Sequence, residues 1–405
     1  MRLHRASPRA TIGVEAPHSG VPGGSPTMAI SNWFSRITGK TPEVVVESPR
    51  PLTLMEDDSC NNAYGQPNRP DSLDTFSGQD KLKVNVERDV RAARALGLAF
   101  GHTLITGPSG TGKTTLGYII ANEMRVNCTI LNASQITNTT DFNNSVVACM
   151  YDDGLAALDN PASSRPSPKK KNILIIDEAH LLPKKVQTDA YHLLEDHVFN
   201  HTYKDLVIQF NSQLRETGKG PGQFFTLICI TTHTSRLLEA FRNRLKNQYV
   251  LDRYSDEYIA ELLASQAKVW DLELSDEVAV LIAQRSNGIP REALNHRLRP
   301  IRDEIVGYGL PPVITEELVE KVMRALQVDH YGFTSEHRQV LRAVDEGMSS
   351  LDSLMITLGI DDVDTIKLVY EAELRRQGLL AVKPGKGRYL TPAGQKYLES
   401  VENWS

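Results

Sequence analysis

One octapeptide, Gly107-Pro108-Ser109-Gly110-Thr111-Gly112-Lys113-Thr114, constrains this chain more than any other feature. A short apolar run, Thr103–Thr106, leads into it and Thr114–Met124 leads out, so the spacing predicts strand, Gly-rich turn and helix. In that context the pattern GxxxxGK[ST] is a phosphate cradle. Glycines let backbone N–H groups close around phosphate oxygens, and the helix N-terminus adds its positive dipole end. Lys113 then reaches the β- and γ-phosphates, and Thr114 offers its hydroxyl to Mg²⁺.

The segments around the octapeptide fit the same scheme. Cys128–Leu131, Ile173–Ile176 and Phe225–Ile230 are apolar runs of strand length, implying an α/β fold with a parallel sheet and helices on both faces. Ligands of open sheets of this kind sit at the C-terminal strand edge. There the second run delivers Asp177, placed to hold Mg²⁺ through water, and Glu178, placed to orient or deprotonate an attacking water. The third run ends in Thr231 and Thr232, either of which is a candidate γ-phosphate sensor. Arg242 and Arg244 follow at a helix end, and either would serve as the arginine that reaches a neighbouring subunit's nucleotide. Arg291 opens a helix after a Gly–Pro turn and is a candidate reporter of nucleotide state.

With 405 residues the chain has room for two to three domains of about 150 residues each. No apolar run approaches the roughly 18–20 residues of a membrane-spanning helix. Cys60, Cys128, Cys149 and Cys229 are scattered, which excludes a disulfide framework or a zinc ribbon and fits a reducing compartment. The net charge of -5 means that any nucleic-acid contact needs a local basic patch. Residues 1–68 are rich in Pro, Gly and Ser and are expected to be mostly disordered. Met1–Arg9 has the Arg-rich texture of a transit peptide, and Met28 is an alternative start. Ala29–Lys40 carries Trp33, Phe34 and Ile37 at the spacing of a short amphipathic helix, and 160–171 reads as a Lys-rich surface loop. From about Arg253 to Val328 the pattern is helical, with N-cap-like starts at Ser255, Ser275 and Thr315. From Asp329 onward, helices end in a basic hairpin at Leu380–Leu390, which suggests a winged helix.

In order, the segments Arg69-Pro70-x-x-Leu73-Asp74-x-Phe76-x-Gly78-Gln79, GPSGTGKTTLGYIIANEM, IIDEAHLL, LLEDHVF, FFTLICITT, SNGIPREALNHRLRPIRD, DTIKLVYEAELRRQGLL and KPGKGRYLT span the chain to about Leu398. This series resembles the AAA+ ATPases and, among them, the RuvB family of Holliday-junction branch-migration motors. The resemblance implies an N-terminal extension at 1–68, an AAA+ P-loop core at 69–252, a helical lid at 253–328 and a winged-helix domain at 329–405. It further implies ATP and Mg²⁺ as cofactors. Gly107, Pro108, Ser109, Gly110, Thr111, Gly112, Lys113, Thr114 and Thr115 would bind the nucleotide with Arg69 and Tyr254, and Thr114 and Asp177 would hold the metal. Glu178 would be the catalytic glutamate of Walker B, Thr231 or preferably Thr232 sensor 1, Arg244 the trans-acting finger and Arg291 sensor 2. Lys383, Lys386 and Arg388 fall where the family's wing meets the DNA backbone.

The expected protein is thus a ring-shaped homo-oligomer, by resemblance a hexamer, that uses ATP hydrolysis to move or remodel duplex or branched DNA. It would have no membrane partner and a cytoplasmic location, with organellar import if residues 1–27 are translated. The alternative is an ATP-gated assembly switch that acts on a protein partner without translocating DNA. Several positions depart from the family pattern: Ser109 replaces a proline, His233 stands where an arginine is usual, and Leu245-Lys246 replaces Phe-Gly. The segment 200–222 lies where the family grips its partner RuvA, and it is longer and different here, so a protein loader or adaptor of other identity is expected there. Together these departures describe a divergent relative.

Overall fold

The computed structural model describes residues 69–150, 172–196, 198–203, 206–211, 225–385 and 387–401. The N-terminal extension, the loop at 160–171, the stretch 212–224 and Lys386 lie outside the described residues.

Among the described residues up to Val250 there are seven strands: β1 (Thr103–Thr106), β2 (Cys128–Asn132), β3 (Ile173–Asp177), β4 (Val198–Tyr203), β5 (Leu206–Asn211), β6 (Thr226–Thr231) and β7 (Asn247–Val250). Five form one sheet in the order β2–β3–β6–β1–β7, every neighbouring pair parallel. Alternation along the strands explains why they read as continuous apolar runs. Ile105, Ile173, Ile175, Ile228 and Ile230 enter a core with α1 (Asp80–Ala95) and α2 (Lys113–Met124). Leu104, Leu174, Ile176, Leu227 and Cys229 enter the opposite core with α3 (Thr139–Met150). Both faces are covered, so neither set of side chains is polar. Burial pushes the Cys149 thiol up to about 12 and raises that of Cys229 as well, so both act as packing groups.

Register brings the functional ends together. Thr106 pairs with Thr231 across β1 and β6, and Ile176 pairs with Cys229 across β3 and β6. The P-loop, Asp177 and Thr231 therefore leave the same edge of the sheet. Strands β4 and β5 form a separate antiparallel hairpin, Val198 opposite Asn211. The short helices α4 (Lys184–Asp189) and α5 (Tyr191–Glu195) precede this hairpin in sequence, and α6 (Glu239–Arg244) lies between β6 and β7.

The next core is helical, built by α7 (Asp256–Val269), α8 (Asp276–Gln284), a π-helical stretch Glu292–Leu298, α9 (Arg299–Tyr308) and α10 (Glu316–Ala325). Ser255, Ser275 and Thr315 cap α7, α8 and α10, their hydroxyls accepting from Tyr258, Val278 and Leu318 N–H, each worth about 1 kcal/mol. A two-residue parallel bridge of β8 (Glu273–Leu274) and β9 (Val313–Ile314) adds to this helical pattern.

The last core gathers Phe333, Leu341, Leu354, Ile366, Leu374 and Tyr397. Its elements are α11 (Ser335–Asp345), α12 (Leu351–Leu358), a π-helical stretch Thr365–Glu371 running into α13 (Ala372–Arg376), and α14 (Pro392–Val401). The antiparallel hairpin of β10 (Leu380–Lys383) and β11 (Gly387–Leu390) is the wing. Gly387 is required at its base: at φ 73° a Cβ would lie 2.7 Å from the Ser349 carbonyl oxygen.

Candidate nucleotide-binding site

The Gly-rich turn takes its shape from what surrounds it. At Gly107, φ 142°, a Cβ would sit 2.4 Å from the carbonyl oxygen of Leu251, which follows β7. At Gly110, φ 77°, a Cβ would meet Arg291 Cβ at 2.8 Å and Ile289 Cγ2 at 2.9 Å. One glycine thus lets the turn pass β7, and the other lets the lid close onto the turn. The Arg291 N–H donates to the Gly110 carbonyl at 3.3 Å.

Lys113 is buried, and its ammonium donates to Pro108 O at 2.7 Å. Desolvation lowers its pKa to about 8, against the opposing pull of Glu178 and Asp177 and with a smaller push from Arg291. The Thr111 hydroxyl donates to the same Pro108 oxygen at 2.9 Å, and the Thr114 hydroxyl donates to Asp177 Oδ2 at 2.9 Å. Ser109 is exposed at the lip of the turn. On the base side, Arg69 Nε donates to Thr115 Oγ1 at 3.1 Å, and its guanidinium lies 4.5 Å from the centre of the Tyr118 ring. The Tyr254 hydroxyl donates to Thr111 O at 3.1 Å, and burial pushes its pKa up to about 12. Arg69, Thr115 and Tyr254 therefore stand around the P-loop.

Glu178 takes the left-handed region, φ 51°, a strained conformation for a side-chain-bearing residue, while its N–H donates to Asp177 Oδ1 at 2.9 Å. Its buried Oε2 receives no hydrogen bond. That oxygen lies 3.2 Å from His180 Nδ1, which faces Thr231 Oγ1 at 3.1 Å. Burial, then His233 and Arg236, lower the pKa of His180 against the opposing Asp364, so its ring is neutral at pH 7. Of the two candidate sensor threonines, Thr231 is the one joined to the Glu178 side. The Thr232 hydroxyl is engaged with His233 Nδ1 at 2.6 Å.

Arg244 ends α6. Its guanidinium donates to Ala240 O, pairs with Glu195 at 2.7 Å and lies 4.2 Å from the Tyr191 ring centre. On the wing, Lys383 is exposed with its ammonium 4.9 Å from the Tyr389 ring centre. Arg388 is paired within the module: its Nε and Nη2 meet Glu371 Oε2 at 2.8 and 2.7 Å, so the guanidinium ties the wing to the helix beneath it. Lys386 lies outside the described residues.

Sequence reasoning missed a seam of polar residues between the C-terminal module and the rest. Arg253 donates to Asn287 O at 2.7 Å and to Glu373 Oε1 at 3.1 Å, while Asn287 Nδ2 donates to Glu373 Oε2 at 3.0 Å. Arg376 donates to Asn287 Oδ1 at 2.8 Å. Asn287 and Gly288 are consecutive left-handed residues, and a Cβ on Gly288 would sit 2.4 Å from Tyr254 O. The Asn-Gly pair was the one visible signal of this tight turn.

Residues 68–160 match the Holliday junction DNA helicase RuvB P-loop domain, and residues 330–399 match the RuvB C-terminal winged helix domain. The Holliday junction branch migration complex subunit RuvB of Thermotoga maritima is 31% identical over 343 residues, covering 82% of this chain and 92% of that protein. The chain belongs to the RuvB family. The Fervidobacterium nodosum RuvB subunit is 32% identical over 342 residues, with 82% of this chain and 88% of that protein covered. Among solved structures, the Thermotoga maritima RuvB Holliday junction branch migration motor superposes with a TM-score of 0.67 at 29% identity. It covers 82% of this chain and 99% of that one. The fold is accordingly that of a RuvB-family P-loop protein: parallel sheet, helices and a C-terminal winged helix. Among the described residues no helix is long and apolar enough to cross a membrane.

Proposed function

We propose that this RuvB-family protein hydrolyses ATP to move or remodel duplex or branched DNA as a homo-oligomeric ring, with its ordered chain divided into core 69–252, lid 253–328 and winged helix 329–405. The observation that carries the reading is the junction at the sheet edge, where Gly110 packs on Arg291 and Thr114 donates to Asp177. Mg²⁺ keeps several waters and takes few protein oxygens, and the Thr114–Asp177 pair offers that kind of hard-oxygen donor set. The glycine cradle at Gly107 and Gly110 is the shape a triphosphate fits, so the residues suit Mg²⁺–ATP. When bound, the metal would neutralise charge developing on the phosphoryl oxygens.

The chain's own groups then have defined work. Lys113 supplies a positive charge to the β- and γ-phosphates. Glu178, whose Oε2 lacks a hydrogen bond, accepts from the attacking water and aligns it. Arg291 closes the lid on the phosphates, and Arg244 reaches a neighbouring subunit's nucleotide once the Glu195 carboxylate releases it. The hairpin β4–β5 and the residues after it are the proposed docking region for a loader or adaptor, at 200–222. The functions named for the relatives act in DNA recombination, and a cytoplasmic location follows on the same basis.

One observation favours the second reading, an ATP-gated switch on a protein partner. Of the basic residues around the wing, Arg388 is taken up by Glu371 with its side chain largely buried, while Arg375 and Arg376, though bonded to Glu371 and Asn287, stay exposed together with Lys383. Steady-state ATP hydrolysis separates the readings, measured alone and with linear duplex, single-stranded and four-way-junction DNA at low and physiological salt. Stimulation by duplex or junction supports the DNA motor. A rate indifferent to every DNA, in a protein that hydrolyses ATP, favours the switch.

A further inference from the structure

The helical segment of the C-terminal module that begins after Asp364 touches the nucleotide site from two directions. Its far end, through Glu373 and Arg376, is bonded to Arg253 and Asn287 beside the lid turn. Glu373 is a buried carboxylate. Burial would raise its pKa, but hydrogen bonding and charge from His337, with Arg253, hold it below the usual value. This end is an anchor that fixes where the segment sits.

Its near end reaches the opposite jaw. Asp364 pairs with Arg236 and lies 3.7 Å from His233 Nε2. The His233 ring packs on the His180 ring at 4.4 Å between centres, and His180 Nδ1 lies 3.2 Å from Glu178 Oε2. Two buried atoms along this line, Glu178 Oε2 and His233 Nε2, have no hydrogen bond. A buried polar atom without a partner has lost its water without replacement, so each gains from any small shift that supplies one. The line is thus poised at both ends, and the ring pair between them is in direct contact.

We propose that His180 is the positioning residue for Glu178, and that Asp364 of the winged-helix module sets it through His233, so the seat of that module governs ATP hydrolysis. The inference rests on the reading of Glu178 as the acceptor for the attacking water. With Asp364 in place, Arg236 and His233 face a carboxylate, and the His180 ring stays against Thr231 and Glu178. Without it, the Arg236 guanidinium loses its counter-charge, the His233 ring loses its carboxylate neighbour, and the ring pair is free to re-seat, carrying Glu178 off the line of attack. Because the same segment bears the wing, a load on the wing would be felt at Glu178 without any change in the P-loop.

The test is steady-state ATP hydrolysis by the full chain carrying Asp364→Asn, Asp364→Glu, His233→Ala or the double change Asp364→Asn/His233→Ala. Nucleotide affinity and thermal unfolding are followed in parallel, with Glu178→Gln as reference. Misplacing a catalytic group costs rate rather than binding, so the account expects kcat to fall roughly tenfold in Asp364→Asn and His233→Ala at unchanged KM. The double change should be no worse than either single one, since both break the same line. Asp364→Glu should restore most of the rate. Wild-type kcat in both single variants, with Glu178→Gln inactive, overturns this inference and leaves the proposed function standing. A parallel loss of affinity and thermal stability in Asp364→Asn overturns it too, by showing a structural contact. Full activity in Glu178→Gln instead overturns the reading beneath it.

Discussion

The sheet edge and the C-terminal seam meet the same nucleotide site but are built on different physics. The edge is local: its residues lie within one or two turns of a strand end, and steric demands fix them, as at Gly107 and Gly110. The seam is long-range: Glu373 meets Arg253 across 120 positions, and buried charge pairing holds it. A site of the first kind is stiff and tolerates little substitution. A seam of the second kind can open as a unit, because each buried ion pair offsets its own desolvation only while its partner stays.

The largest effect should come from the edge. Lys113→Ala and Glu178→Gln are expected to lower kcat by roughly 100-fold or more, as loss of a preorganised electrostatic group does. ATP turnover checks this, and a near-normal rate in either variant would break the comparison at its stiff side. Gly107→Ala tests the steric claim, since the added methyl meets Leu251 O at 2.4 Å. We expect a stability loss of about 3 kcal/mol in thermal unfolding, with no comparable loss for an alanine at the open Gly97.

At the seam, Glu373→Ala leaves Arg253 and Asn287 without their shared acceptor and should cost about 3 kcal/mol. Limited proteolysis should then cut between lid and winged helix before the core unfolds; retained protease resistance would mean the seam is not what holds the module. On the wing, Arg388→Ala should lower stability by about 1–2 kcal/mol through loss of its Glu371 pair, with little change in salt dependence of DNA binding. Lys383→Ala should leave stability unchanged and reduce the salt slope by about one. The reverse pattern would restore Arg388 as a phosphate contact.

The smallest effect is acid weakening of the seam. The folded pKa of Glu373 is depressed, so its contribution is complete above the unfolded value of about 4.3 and is lost as pH falls through the lower folded one. Thermal stability should drop more steeply below pH 4 in the parent protein than in Glu373→Gln.

Legibility in the sequence follows the same division. The octapeptide, the apolar runs and the acids at 177 and 178 were readable because strand, turn and helix are local patterns, and β1 fell where its residues suggested. The caps at Ser255, Ser275 and Thr315 were readable for the same reason. The Glu371 pair of Arg388 was not legible, because a charge pattern on a hairpin does not reveal that a carboxylate 17 positions earlier lies underneath. Asp364, Glu373, Asn287 and Arg253 were invisible as a group, since nothing in a linear pattern pairs residues this far apart. The different surroundings of Thr231 and Thr232 were equally hidden, since the ring of His180, 51 positions from Thr231, meets only the buried hydroxyl.

The most direct test of the central claim, that ATP use at the sheet edge drives movement of DNA, is branch migration of a fluorescently labelled four-way junction. It would be followed with and without ATP, at protein concentrations that saturate the junction, for the parent chain and for Glu178→Gln. The account predicts ATP-dependent separation of the arms by the parent and none by the variant. A parent protein that binds the junction and hydrolyses ATP on it, yet separates arms no faster than buffer, would contradict it.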